Sequence, residues 1–299
     1  MNKKFKIIVC SIFSFLSING IVAQEQSKHE FSVSGGLGLS TLKFDVKNGD
    51  HKQKVGGSIS LGYGYFINDN WSINTGLEIT NYNSDANLNT FTDSYKATDT
   101  EGEFTFNTSV ANYKEEQRSV FLNIPIMGQF QTPVMDNHKF YIAAGGKIGI
   151  PVSSSYKTSG ASFGTSGTFT DGGGSVTIDD QKGLGFYKFA GKKVDEDVEL
   201  KTAFMLSLET GMKWQLPSAM SLYTGVYFDY GLNDIRNSNK NLKFMTYQSP
   251  DQGILAEDFK LNSVLQSQYT ENGQTRSMTD KVVPMALGLK VRLAFSMPR

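Results

Sequence analysis

The chain is poor in the residues that anchor most protein chemistry. Of its 299 residues one is cysteine, three are histidine and seven are proline. The cysteine, Cys10, lies in MNKKFKIIVCSIFSFLSINGIVAQ, where three lysines precede an apolar run and then Ile21-Val22-Ala23. That order is expected of a secretory signal peptide over residues 1–23, cut at Ala23–Gln24. A membrane anchor is the weaker reading, because the run from Ile7 to Val22 is short and broken by Ser and Asn. A lipoprotein cysteine is excluded by bulky Val9 before it and the apolar residues after it. With Cys10 removed, the remainder has no thiol, disulfide or cysteine metal ligand. Charge of one sign is lacking too. Basic and acidic residues number 29 each, and losing Lys3, Lys4 and Lys6 leaves 26 against 29, a net charge of −3. No basic excess points to nucleic acid. Long apolar runs are also absent from residues 24–299, so any membrane crossing there must be made by strands.

What the chain has in abundance is period-two alternation. KVVPMALGLKVRLAF near the C-terminus puts Val283, Met285, Leu287, Leu289, Val291, Leu293 and Phe295 on one face. The same pattern recurs seven times, in FSVSGGLGLSTLKF, KVGGSISLGYGYFI, WSINTGLEIT, VFLNIPIMGQF, KFYIAAGGKIGIPV, AFMLSLETGMKWQL and SLYTGVYFDYG. Alternation over ten or more residues means strands with one apolar face. Short connections fall at Asn68-Asp69-Asn70, around Pro133 and Asn137, and at Pro217-Ser218-Ala219. Between them lie long connections at 45–54, 83–117, 154–201 and 232–280. In an up-and-down sheet every long connection then emerges from one end. The expected fold is all-β: an eight-stranded antiparallel up-and-down transmembrane β-barrel, residues 24–299, with long extracellular loops. A soluble sandwich would have shorter strands and would bury its apolar faces.

Aromatic residues test this independently. Phe31, Tyr65, Trp71, Phe130, Phe140, Trp214 and Phe295 all fall at the short-turn end of the apolar faces. They are expected to form the periplasmic girdle, where amphipathic rings sit at headgroup level. Phe204, Phe228 and Tyr230 supply a thinner girdle at the other end. The opposite face of each strand points into the barrel and carries Glu78, Lys147, Glu209, Lys213, Asp229, Lys290 and Arg292 among small residues. An eight-stranded interior barely holds its own side chains. These charges are therefore expected to pair as a lumenal network that plugs the barrel, rather than to line a conduction path. A burden of buried charge adds no assured net stability.

Few motifs point to chemistry. The glycines of GGLGLS and GYGY lie within strands, not before a helix N-terminus as a phosphate cradle needs. His29, His51 and His138 have no metal-ligand spacing and none is placed mid-strand, so no metal or other cofactor is expected. Asp171, Asp179, Asp180 and Asp195-Glu196-Asp197 lack the spacing of a calcium loop and read as solvated. TSGASFGTSGTFTDGGGSVTID suggests a hairpin standing above the membrane. ILAEDFKLNSVLQSQY has a weak helical pattern in Ile254, Leu261 and Leu265. Asn272-Gly273 signals a tight turn through which the seventh and eighth strands extend beyond the bilayer.

LNIPIMGQFQ, KFYIAAGGKIGIPV and the closing GLKVRLAF, after a leader ending Val-Ala-Gln, resemble outer-membrane β-barrel proteins of the OmpA-like and PorT-like kind. The resemblance covers the strands, roughly 31–296, and leaves the long loops unmatched. It implies the outer membrane of a Gram-negative-type cell, periplasmic termini, extracellular loops and a surrounding of outer-membrane lipid. OmpA-like membership also implies tethering, yet no periplasmic peptidoglycan-binding domain follows Phe295. Some barrel lipid A acyltransferases carry His in the first loop and Asp-Ser in the second, which His51 and Asp93-Ser94 resemble. A His, an Asp and a Ser in long loops are common, so a non-enzymatic barrel is expected. Its role is structural, or it binds surface partners through loops 83–117, 154–201 and 232–280. A small-solute channel or transport accessory is the alternative.

Overall fold

The computed structural model describes residues 28–99, 102–135, 137–237, 242–248, 259–271 and 273–297. The expected signal peptide over residues 1–23, Ile254 and Asn272 lie outside them. Eight long strands form the frame. They are β1 (His29–Lys43), β2 (Val55–Phe66), β3 (Trp71–Asp99), β4 (Gly102–Met135), β5 (His138–Ser159), β6 (Ala203–Leu216), β7 (Met220–Gly231) and β8 (Val283–Ser296). Each pairs antiparallel with its sequence neighbour. β8 closes on β1 through fourteen residue pairs, from Glu30↔Ser296 to Lys43↔Val283. The ring has no free edge, which removes the unpaired ladder that an open sheet would present.

Tight turns close one end. Asn68 caps the first, its Oδ1 accepting the Trp71 N–H at 2.9 Å. The second, the one expected around Pro133 and Asn137, is short because Met135 already pairs with His138. In the third, Ser218 and Ala219 take positive φ angles of 63° and 57° so that Leu216 can pair with Met220. Outward side chains between these turns and the far rim are apolar and exposed. Leu37, Ile59, Leu77, Ile126 and Leu289 are 53–68 % exposed, a continuous greasy belt.

The long-loop end departs from expectation. Residues 83–117 are not a loop: β3 and β4 continue as a ladder to Asp99↔Gly102. β3 thus runs about 60 Å past Thr80 at the usual strand rise. Strand Ser162–Asp171 pairs with β4 and with Gly174–Ile178, so the Gly-rich stretch does form a hairpin, laid against the extended sheet. β5 runs on to Ser159, within the expected loop 154–201. On the other flank, Gly49–Gln53 pairs with β3, which puts His51 mid-strand after all. The Ser267–Glu271/Gln274–Ser277 hairpin forms, with Gly273 at φ 73°. It does not prolong β7 and β8, which end at Gly231 and begin at Val283; it pairs instead with Leu242–Lys243 in a separate sheet. No helix forms around Leu261 and Leu265: Leu261 lies in the short strand Lys260–Leu261 and Leu265 in a turn, both buried.

These pieces share one hydrophobic core above the ring. Leu42, Tyr82, Leu88, Phe91, Tyr113, Phe163, Phe244, Val264 and Tyr269 are buried in it. The long connections therefore form a folded cap.

Candidate lumenal charge site

Inside the ring, β-strand alternation aims every second residue at the axis. The seven expected charges all point there, and all are buried or nearly so. Lys147 on β5 lies between two carboxylates from opposite walls: its Nζ is 2.8 Å from Glu78 Oε1 on β3 and 2.8 Å from Asp229 Oδ2 on β7. Ser207, paired with Asp229 across β6 and β7, donates to Asp229 Oδ1 at 2.5 Å. Asn123 donates to Glu78 at 3.3 Å. Lys290 donates to Glu209 at 2.9 Å and lies 3.8 Å from Glu78. A chain of opposite charges thus runs Glu209, Lys290, Glu78, Lys147, Asp229.

Two of the seven find other principal partners than those expected. Lys213 pairs with none of the three expected carboxylates; it donates to Glu30 at 2.9 Å. Glu30 sits one residue before the apolar face begins at Phe31, and it brings the lumen to four anions against four cations. Arg292 approaches Glu209 only to 3.9 Å. Its firmer contacts are Gln129 Oε1 at 2.9 Å and the Tyr223 ring, 3.8 Å from Cζ to centroid. Tyr223 in turn donates to Glu30 at 2.8 Å, and Tyr141 donates to Glu209 at 2.9 Å.

The tyrosines correct a second expectation. The inward set is not only small or charge-paired: Phe121, Tyr141, Tyr223 and Tyr227 are buried rings. They need glycine beside them. A Cβ on Gly225 would come within 2.7 Å of the Tyr141 hydroxyl, and one on Gly36 within 3.1 Å of the Tyr227 ring. Among these groups a cavity of about 50 Å³ remains, room for a few waters.

The aromatic set takes the opposite face, at the short-turn end. Trp71 pairs with Phe130 across β3 and β4, ring centroids 5.0 Å apart. Phe31 pairs with Phe295 across β1 and β8. Trp214 lies against His138 at 4.5 Å, while Tyr65 and Phe140 are exposed.

The candidate acyl-transfer residues do not converge. His51 pairs across from Ala86 and touches Phe44, ring centroids 4.5 Å apart. Ser94 is eight residues further up β3, about 26 Å at strand rise, and donates to Asn107 at 2.8 Å. Asp93 accepts the Thr270 N–H at 2.8 Å. Nucleophile, base and orienting acid need side-chain hydrogen bonds to one another, and within this set Asp93 Oδ1 accepts only the Ser94 backbone N–H, at 2.9 Å.

In the cap one carboxyl has no sequence signature. Glu115 is fully buried and accepts from Tyr113 (2.6 Å), Gln117 (2.9 Å), Ser263 (2.5 Å) and the Val264 N–H (3.0 Å). Burial raises its pKa above the usual glutamate value, and those four hydrogen bonds oppose the rise.

A family model described as outer membrane protein beta-barrel domain matches residues 22–237. A search of curated proteins returned no match. Among solved structures, the chain is similar to Neisserial surface protein A at 10% identity and TM-score 0.36, covering 92% of this chain and 100% of that one. It is similar to the outer membrane protein AlkL at 9% identity and TM-score 0.36, covering 95% and 98%. It is also similar to Ail, the attachment invasion locus protein of Yersinia pestis, at 12% identity and TM-score 0.26, covering 91% and 100%. The family match spans seven strands of the ring, and β8 closes it. The chain belongs to the outer membrane protein beta-barrel domain family: it is an eight-stranded barrel of the outer membrane.

Proposed function

We propose that this barrel is a closed, non-enzymatic scaffold whose working surface is the folded cap, held outside the cell with both termini in the periplasm. The observation that carries the reading is the filled lumen beneath a cap with its own core. Four anions, four cations and four aromatic rings occupy a bore that eight strands make barely wider than its side chains. Binding of surface partners then falls to segments 83–117, 154–201 and 232–280, and the apolar belt contacts lipid. Rigid scaffolds commonly carry binding on such connections. Single-channel recording of the refolded chain, after a heat-dependent gel shift has established folding, tests the closed lumen. A silent bilayer is the expected result. Reproducible conductance steps would make the small-solute channel the better reading. Protease applied to intact cells tests the orientation: cuts within 154–201 or 232–280 are expected, and full protection would overturn it.

A further inference from the structure

Above the closed ring, the wall is interrupted between β5 and β6. β5 and β6 pair from Trp214↔His138 up to Ala203↔Gly149 and no further. Higher up, the Val198 N–H bonds Ser154 O at 2.9 Å, and Asp195–Asp197 pairs with Ser155–Lys157. Between these two points the chain leaves the wall, and Lys201 N–H bonds Ile235 O at 2.7 Å instead. On the β5 side the ladder to β4 also slips, with Val120 opposite Ser153 but Phe121 opposite Pro151. Pro151 has no N–H to offer, and such a bulge bends the strand, although the ladder to β4 resumes from Val120↔Ser153 to Lys114↔Ser159.

The gap is a notch of about 380 Å³ at the upper edge of the apolar belt. That volume is at the small end of ligand sites. Its walls are mixed: Pro151, Val152, Val198 and Leu200 give apolar surface, and Ser153, Ser154 and Asn237, whose Nδ2 donates to Glu199 Oε2 at 3.0 Å, give polar surface. Its rim is acidic. Asp197 and Glu199 are both exposed, and Asp197 has no ion-pair partner among the described residues, while its neighbour Asp195 is taken by Lys157 at 2.7 Å. One more feature is unexplained by the fold. Ser154 lines the notch, is 7 % exposed, and its Oγ has no hydrogen-bond partner. A buried hydroxyl left alone is costly, and a ligand polar group would satisfy it.

We infer that this notch binds an amine-bearing amphiphile. The chain lies on the apolar wall at the level of the lipid, the ammonium meets Asp197 and Glu199, and a head-group hydrogen bond reaches Ser154. The opposite class, a carboxylate amphiphile, meets two like charges. The inference does not depend on whether the lumen conducts or on which way the cap faces.

The test uses the full mature chain in nanodiscs of zwitterionic lipid with a diazirine-tagged dodecylamine, photolysed and mapped by mass spectrometry. Saturable labelling at 151–154 and 197–200 is expected, competed by plain dodecylamine but not by dodecanoic acid. Asp197→Asn with Glu199→Gln should raise the half-saturating amine concentration about tenfold. Both carboxylates are exposed, so the gel shift should be unchanged and the folded chain remains testable; Ser154→Ala gives a second, smaller loss. Labelling spread along the β5 belt in proportion to lipid contact would overturn the site. Equal competition by dodecanoic acid, or no response to the paired substitution, would overturn the ligand class.

Discussion

Strand β3 passes through two regions that obey opposite rules. From Trp71 to Ile79 its apolar residues face outward and its inward residues are Ser72, Asn74, Gly76 and Glu78. From Tyr82 onward the grease turns inward, as Tyr82, Ala86, Leu88 and Phe91, and the outward residues become Asn83, Thr90, Thr92 and Ser94. One backbone ladder thus serves two solvents. In the lower half the apolar solvent lies outside and polarity must be satisfied within; in the upper half the positions are exchanged. The lower half is therefore held by ion pairs and hydrogen bonds around a charged axis, the upper half by a conventional hydrophobic core. The contrast predicts that the same substitution will have different consequences on the two sides of Thr80.

The largest expected effect is in the lower half. Lys147→Glu would set three carboxyl groups together where Glu78 and Asp229 now share one ammonium. Breaking a buried pair costs about 3–5 kcal/mol, and reversal is worse. The heat-sensitive folded band on a gel should be lost. Survival of that band at wild-type denaturant resistance would mean that water screens the lumen. A direct comparison along β3 comes next. Leu77 is 53 % exposed and Thr92 is also exposed, on the outward side of the same strand. Leu77→Arg should cost about 2–4 kcal/mol in a bilayer, by analogy with midplane charges on barrel walls. Thr92→Arg should stay within about 0.5 kcal/mol. Equilibrium unfolding in urea from vesicles measures both, and equal costs would erase the boundary drawn at Thr80.

The lower half was legible because its constraint is simple. Apolar residues must recur at period two wherever strands meet lipid, and tight turns must join them at one end. The extension hides for two physical reasons. Its outward face is polar, so 83–117 resembles a solvated loop. Its inward register also changes: Leu88 and Tyr113 face the core, then Phe91 and Val110, with Asn112 between at φ 55°. A continuous period breaks there, although asparagine is among the residues that tolerate that angle. Within the lumen, Glu30 continues the inward parity of Ser32, Ser34 and Gly36, so extending β1 by one pair would have found it. The Arg292 partners were not legible. Gln129, Tyr141 and Tyr223 come from three different strands, and which rings fill the bore depends on barrel closure. Glu115 left no trace, because in KEEQR it looks like any solvated acid.

Glu115 offers the smallest and sharpest test, since it is a lower-half device placed in the upper half. It ties β4 to the 259–271 segment by accepting from Ser263 and the Val264 N–H. Burial raises its pKa above the ordinary 4.5, so the folded cap holds the proton more tightly than the unfolded chain does. The sign follows from linkage: this group's contribution is fully present below about 4.5 and is lost as pH rises through the folded value. Tyr113, whose pKa burial pushes well above the usual range, stays protonated throughout and keeps donating. Hydrogen exchange at the Val264 amide, corrected for intrinsic rate, should therefore show protection falling from the acid side toward neutral pH. Glu115→Gln should flatten that dependence. At neutral pH, where the group is a carboxylate, it should also lower protection by about 1–3 kcal/mol, because an amide NH₂ cannot accept the donors that a carboxylate accepts. If the slope survives the substitution, another cap group sets it and Glu115 is only a hydrogen-bond hub. If the slope disappears and the barrel's gel shift is untouched, the cap opens by itself while the charged axis beneath it stays closed.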